Sequence, residues 1–182
     1  MKIPAEVLDL VLSEALDDFF RFETALILDR VSERNSCQRL SIYLERRAQE
    51  NGLAGYHADT EYNRKQGGHV KTIFSENMEV VVIQSDLILH SRGHYVSEDN
   101  LIAVEMKKSE RPEHQKESDR KRLRAMTKAS FDGVWSNDGA IHPEHVCGYR
   151  LGLYIELNAN RRIALLELYA SGELVRTDSI TF

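Results

Sequence analysis

Two apolar runs, residues 80–89 and 101–104, constrain the fold of this chain most strongly, because an acidic residue accompanies each of them. Asp86 interrupts the first run, and Glu105 directly follows the second. The density of β-branched and aliphatic residues predicts a strand for each run, and the polar segment 91–100 predicts the loop that joins them. We therefore expect a hairpin whose two strands each carry a carboxylate.

The register of this hairpin follows from the position of its loop. A loop centred at residues 95–96 sets Asp86 directly across from Glu105, because paired positions of an antiparallel hairpin sum to a constant. Facing carboxylates repel, and a buried carboxylate without a partner is costly, so the pair requires a cation. Lys107 shares a strand face with Glu105, whereas Met106 points the other way. The sequence thus predicts that two acids and a lysine converge.

The spacing of these residues is that of a known motif. Asp86, a gap of eighteen residues and the triplet Glu105-Met106-Lys107 resemble the motif of the PD-(D/E)XK nuclease superfamily, the restriction-endonuclease-like phosphodiesterases. The resemblance covers roughly residues 33–157, and Ser85 stands where the proline that names the motif precedes the acid. The chain looks like a small stand-alone member of this superfamily.

The order of the predicted elements agrees with the resemblance. Helical spacing of apolar residues predicts a first helix from Pro4 to residue 20, followed by a short apolar segment at 25–28. Ser32 is the predicted N-cap of a second helix that ends before Gly52, and a third helix begins near Glu113. Further strands are predicted near residues 58–62, 149–157, 163–169 and 174–182.

These elements define an expected fold class. The class is α/β, with a restriction-endonuclease-like αβββαβ core in which helices flank a central mixed sheet. An added N-terminal helix and a C-terminal β-meander complete it. At 182 residues with 42% hydrophobic content, the chain can bury one sizeable core. We expect a single nuclease-like domain of residues 1–182.

Charge is distributed unevenly along the chain. The net charge of −5 argues against a protein that coats nucleic acid through bulk charge. Residues 107–128 nevertheless hold nine basic and four acidic side chains. Such a run is either a solvated helix face or a surface that contacts phosphates. The predicted nucleic-acid-binding residues are Lys108 and Lys121 of this run, together with Arg122 and Arg64, which the resemblance of residues 119–127 and 61–64 to small members of the superfamily implies.

Glu33 permits two interpretations. A carboxylate in the first turn of a helix stabilises the helix dipole, which is a sufficient structural explanation for this residue. The resemblance implies instead that the first core helix presents a glutamate to the catalytic site, where Glu33 binds metal through water or holds a second ion. The sequence leaves both interpretations open.

The resemblance implies a chemistry as well as a fold. Asp86, Glu105 and the main-chain carbonyl of Met106 would bind Mg²⁺, with Mn²⁺ as a substitute, and Lys107 would orient or activate water. The expected function is a metal-dependent nuclease whose substrate is nucleic acid, with DNA favoured. One alternative is a catalytically silent domain that binds nucleic acid or protein. Another is a structural protein whose hairpin only mimics the motif.

Composition indicates the cellular compartment that we expect for this protein. Cys37 and Cys147 form no spacing motif and suit a reducing compartment. The first residues lack the continuous apolar stretch of a signal peptide, and no apolar run reaches the length of a membrane span. We expect a cytoplasmic protein without membrane contact. The acidic balance favours a narrow phosphate-binding groove, a homodimer that joins two grooves, or a partner that supplies affinity.

Overall fold

A computed structural model of the chain describes residues 3–62, 72–74, 80–82, 85–128 and 147–182. The described helices are α1 (Ala5–Leu28), α2 (Glu33–Glu50) and α3 (Glu113–Thr127). The described strands are β1 (His57–Thr60), β2 (Thr72–Phe74), β3 (Val80–Val82), β4 (Leu87–His90), β5 (Asn100–Lys108), β6 (Leu151–Asn158), β7 (Ile163–Ala170) and β8 (Glu173–Thr181).

Six of these strands form one mixed sheet in the order β1-β4-β5-β6-β7-β8, and β2 and β3 pair separately. Only β5 and β6 run parallel; the other neighbours in the large sheet are antiparallel. A parallel step requires a crossover, and the segment that contains α3 supplies it. The fold class is therefore α/β, and β6 to β8 form the expected C-terminal meander.

The predicted register of the central hairpin is confirmed. Leu87 pairs with Val104, and the next two pairs keep the same sum of residue numbers. One step beyond Leu87, the same register leads to Asp86 and Glu105. The prediction of one continuous strand from 80 to 89 is wrong, because β3 pairs with β2 and β4 begins only at Leu87. A polar segment, Gln84-Ser85-Asp86, separates the two apolar stretches.

Both N-terminal helices begin where predicted, but α1 is longer than expected. It continues through the segment 25–28, because Phe19, Phe20, Glu23 and Ile27 extend its buried stripe. In α2, the side chain of Ser32 accepts a hydrogen bond of 3.2 Å from the backbone N–H of Asn35. This is the expected N-cap. None of the helices in the described ranges is long and apolar enough to cross a lipid bilayer.

Helices cover both faces of the sheet, and β5 divides its side chains between them. Ile102, Val104 and Met106 belong to the cluster of buried residues that contains α1 and α2. Ala103 packs on the opposite face with Leu123 of α3. Because side chains alternate along a strand, Glu105 also points to the α3 face. The alternation of β5 thus places a carboxylate between the sheet and α3.

The buried stripe of α2 provides a test of this packing. Leu40 is fully buried, whereas Ile42 on the same helix is 49% exposed. We expect Leu40→Ala to lower the free energy of unfolding by about 2–5 kcal/mol, because it removes packed methyl groups and leaves a cavity. Ile42→Ala, the matched control, should change it by less than about 0.5 kcal/mol. Urea unfolding measures both, and equal effects would contradict the described packing.

A polar cluster links β1 to β4. Asp59 Oδ2 lies 2.9 Å from His90 Nε2, and Arg92 donates two hydrogen bonds of 2.8 and 2.6 Å to the Asp59 carboxylate. The Arg92 guanidinium lowers the pKa of Asp59 to about 2, against the opposing effect of burial and with help from His90. The ionised carboxylate is therefore favoured in the folded protein.

This pKa predicts a pH-dependent stability. Because the folded pKa of Asp59 is below its ordinary value of about 3.9, its contribution is fully present above that value and is lost as the pH falls through about 2. Asp59→Asn should therefore reduce the free energy of unfolding most above pH ~4, and the difference from wild type should shrink below it. Denaturant titrations at several pH values measure this difference. Asp17→Asn, at an exposed position of α1, is the control.

Candidate active site

The site lies at the open end of the β4–β5 hairpin, opposite the loop that joins the two strands. Asp86 lies just before β4 and its Oδ2 accepts a hydrogen bond of 2.9 Å from the main-chain N–H of Met106. That bond ties the Asp86 carboxylate to the strand that carries Glu105 and Lys107. The structure therefore brings together the three residues that the sequence predicts to converge.

Glu105 is a fully buried carboxylate in the middle of β5. Burial and the nearby charge of Asp86 raise the pKa of Glu105 well above its ordinary range, and Arg122 opposes them. Arg122 comes from α3, and its Nε and Nη2 donate to the two oxygens of Glu105 at 2.8 and 3.3 Å. This two-pronged contact is strongest when Glu105 is ionised, which is the form that Arg122 favours against the effect of burial.

Lys107 is held between two acids on the same face. Its Nζ lies 2.7 Å from Asp119 Oδ2 and 3.8 Å from Asp86 Oδ2. Burial lowers the pKa of Lys107, but Asp119, Asp86 and Glu105 together raise it above its ordinary value. The side chain is therefore an ammonium group whose position is fixed, which suits it to bind an anion or a polarised water molecule.

Asp119 is a site residue that the sequence reasoning missed. Its side chain on α3 is almost fully buried and contacts both Lys107 and Arg122. Burial raises the pKa of Asp119, and the two cations oppose that shift. The available signal was its three-residue spacing from Arg122, which places both on one helix face. The cluster holds three acidic and two basic groups.

Glu33 lies at the margin of this cluster. Its Oε1 accepts hydrogen bonds of 2.9 Å from the main-chain N–H of Lys108 and from Arg111 Nε, and Arg111 Nη2 donates to Oε2 at 3.2 Å. Burial disfavours the charged form, but these bonds lower the pKa of Glu33 below its ordinary value. Glu33 therefore connects the start of α2 to the end of β5, and its place in a metal site stays a prediction.

The four predicted nucleic-acid-binding residues have different settings. Lys121 is exposed on α3. Lys108 Nζ donates a hydrogen bond of 2.8 Å to the main-chain carbonyl of Arg30. The side chain of Arg122 is 27% exposed and directed at Glu105 and Asp119 rather than at solvent. Arg64 lies outside the described residues.

The donor chemistry of the cluster can be compared with what a hard divalent cation needs. Mg²⁺ prefers oxygen ligands, and Asp86, Glu105 and the Met106 carbonyl offer them. Within the described ranges, however, no three His, Cys, Asp or Glu side chains are grouped so that they could hold a metal ion. Both Glu105 oxygens also accept from Arg122. The residues fit a cation in chemical type, provided that Arg122 gives up at least one oxygen of Glu105 and water completes the coordination.

The fold and the site together define an α/β protein with a buried cluster of acids, a lysine and an arginine at one end of a hairpin. No known family model matches the chain, and no curated protein or solved structure is significantly similar to it. What this site does must therefore be argued from its geometry and charge.

A cysteine beneath the site gives a chemical test of the geometry. Cys37 on α2 is 1% exposed, and burial together with the charges of Asp86 and Glu105 raises its thiol pKa well above the ordinary range. Cys147 is buried as well. Because the thiolate is the reactive form, neither cysteine should react quickly in the folded protein.

We expect 5,5′-dithiobis(2-nitrobenzoate) to modify neither thiol at pH 8 on the timescale of seconds in which a denatured control releases two equivalents. Cys147→Ser then isolates the response of Cys37. A fast-reacting thiol in the folded Cys147→Ser protein would contradict the described burial of Cys37 beneath the acidic cluster.

Proposed function

We propose that the protein is a metal-dependent phosphodiesterase that hydrolyses nucleic acid, with DNA as the expected substrate. The observation that carries this proposal is the convergence of Asp86, Glu105 and Lys107 at the end of one hairpin. A carboxylate pair beside a fixed ammonium group is an arrangement that suits cleavage of a charged ester. A homodimer that joins two sites stays a prediction.

The element order supports the same proposal. From α2 onward, the elements that pack with the large sheet follow the order helix, three strands, helix, strand. This is the order of the restriction-endonuclease-like core, and we propose that fold for residues 33–157. The β2–β3 pair, α1 and the strands β7 and β8 are then additions to it.

Hydrolysis of a phosphodiester requires stabilisation of negative charge and a water molecule in the correct position. A bound Mg²⁺ or Mn²⁺, held by Asp86, Glu105 and the Met106 carbonyl, would supply a Lewis acid and a more acidic water. Lys107 would stabilise the charge that develops on the phosphate and orient the attacking water. Asp119 would hold the Lys107 ammonium in place, at the observed separation of 2.7 Å.

Substrate affinity in an acidic protein must come from a local surface. Lys121 is exposed on α3, the helix whose next residue, Arg122, reaches Glu105. Lys121 is therefore the preferred candidate for a phosphate contact. Lys108 is a second candidate, on the strand that carries Glu105, and its Nζ donates to the main-chain carbonyl of Arg30.

One observation favours a second function. Arg122 already neutralises the buried charge of Glu105, so the cluster is internally paired without any metal. A domain of that kind could bind nucleic acid or protein through its α3 surface without cleaving it. The presence of a lysine between two acids argues for the nuclease, because a silent binding module has no need of a partly buried ammonium group held in one position.

Cleavage assays separate the two functions. We expect the wild-type protein with Mg²⁺ or Mn²⁺ to cleave at least one of labelled single-stranded DNA, duplex DNA, branched DNA and RNA. Asp86→Asn, Glu105→Gln and Lys107→Met should each lower the rate by at least about 100-fold, because each removes a group that stabilises the transition state. Circular dichroism should show that the variants remain folded.

Matched variants at exposed positions control for charge. Asp178→Asn, Glu50→Gln and Lys128→Met make the same three changes away from the cluster and should retain wild-type activity. If the protein binds one of these nucleic acids but cleaves none of them with either Mg²⁺ or Mn²⁺, the result would support the silent binding module. Cleavage that survives in all three site variants would refute this assignment of the active site.

A further inference from the structure

Arg122 occupies carboxylate oxygens that the proposed metal site would use. It was expected to contact nucleic acid, yet its guanidinium contacts the two carboxylates of Glu105 and Asp119. Its Nε and Nη2 use both oxygens of Glu105, at 2.8 and 3.3 Å. These are the oxygens that a divalent cation at this position would need.

The charges of the cluster make Arg122 a natural competitor of a metal ion. Glu105 is completely buried, and an unpaired buried carboxylate is strongly destabilising. Arg122 supplies one positive charge in the absence of other ligands. A divalent cation between Asp86 and Glu105 supplies two charges, which relieves the repulsion between these acids more fully than one guanidinium does.

Arg122 also has a route away from Glu105. Its side chain is 27% exposed, unlike Glu105 and Asp119, so it reaches the surface of α3. Lys121, its neighbour in sequence, is exposed on the same helix. A guanidinium released from Glu105 would therefore enter the surface at which we expect the substrate, and it matches phosphate oxygens in geometry.

We propose that Arg122 is a cation-controlled phosphate-binding residue: it caps Glu105 in the metal-free protein, and a divalent cation displaces it toward the phosphate backbone of the substrate. This inference rests on the proposed function, since it uses the same metal site. Cation binding and phosphate binding are then coupled through one side chain. Such coupling is reciprocal, so each ligand strengthens the other.

The direct test observes Arg122 itself. In ¹⁵N-labelled protein, the Arg122 Nε–H resonance is assigned by its absence from Arg122→Lys. Adding Mg²⁺ should shift this resonance and speed its hydrogen exchange by about tenfold or more, because the bond to Glu105 opens. Arg120, on the same helix as Arg122, is the internal control: its Nε donates a hydrogen bond of 2.9 Å to Glu167 of β7, and its resonance should not move.

Calorimetry with Mg²⁺ alone gives an independent measurement. Arg122→Met should bind the cation more tightly than wild type, on the order of tenfold, because the competing guanidinium is gone. Arg124→Met removes the same charge from the same helix at a side chain that contacts Glu173 and Tyr169. It should change the affinity by less than about threefold, because the Arg124 guanidinium pairs with Glu173 and lies over the Tyr169 ring instead of occupying the oxygens of Glu105.

Thymidine 5′-monophosphate tests whether Arg122 binds phosphate. It is a suitable probe because it contains no diester bond to cleave. It should shift the Arg122 resonance when Mg²⁺ is present and leave it unchanged without the cation. A shift of equal size without Mg²⁺, or no response of Arg122 in either condition, would overturn the role in phosphate binding.

The outcomes separate this inference from the proposed function. If Mg²⁺ binds and Arg122 keeps one of its two bonds to Glu105 without responding to the monophosphate, the inference is wrong and the nuclease proposal stands. If Mg²⁺ binds Arg122→Met but not wild type, the cation cannot displace Arg122 from Glu105, which also overturns the inference. If Mg²⁺ binds neither protein, the proposed metal site itself is wrong, and both proposals fall.

Discussion

The ion pair between Glu105 and Arg122 is the interaction on which the rest of the structure depends. A carboxylate with no exposed surface, in the second strand of a central hairpin, is costly to bury, and Asp86 adds repulsion to that cost. Arg122 offsets both from the opposite layer. This requirement constrains where α3 packs, because its guanidinium must reach a specific residue of β5 while Leu123 and Met126 cover the neighbouring sheet.

The same pairing organises the other charges of the site. Asp119 lies one helical turn before Arg122, so the position of Arg122 also brings Asp119 to Lys107. Lys107 is then fixed between Asp119 and Asp86 instead of extending into solvent. A cluster of this kind is preorganised, since its charges are oriented by the fold before any ligand arrives. That property supports a catalytic role more directly than the presence of the acids alone.

Arg122 also links the two functions that the site allows. While it covers Glu105, the cluster is electrically satisfied and resembles a structural core. If a cation replaces it, the same residues become a metal site with an additional guanidinium at the surface. In our proposal, the choice between a nuclease and a silent binding module therefore depends on the relative affinity of Glu105 for one arginine and for one divalent ion. The net charge of −5 makes this local balance more important than the overall field of the protein.

The sequence by itself determined the features that depend on local periodicity. The apolar runs and the loop centre were enough to give the β4–β5 register, and Ser32 and Gly52 were enough to bound α2. Only the tertiary structure decided that the apolar run 80–89 divides between two sheets and that Asp119 joins the site. It also decided that Arg122 turns inward. The physical reason is that strand and helix periods are encoded by neighbours along the chain, whereas the partner of a long charged side chain depends on which element packs above it.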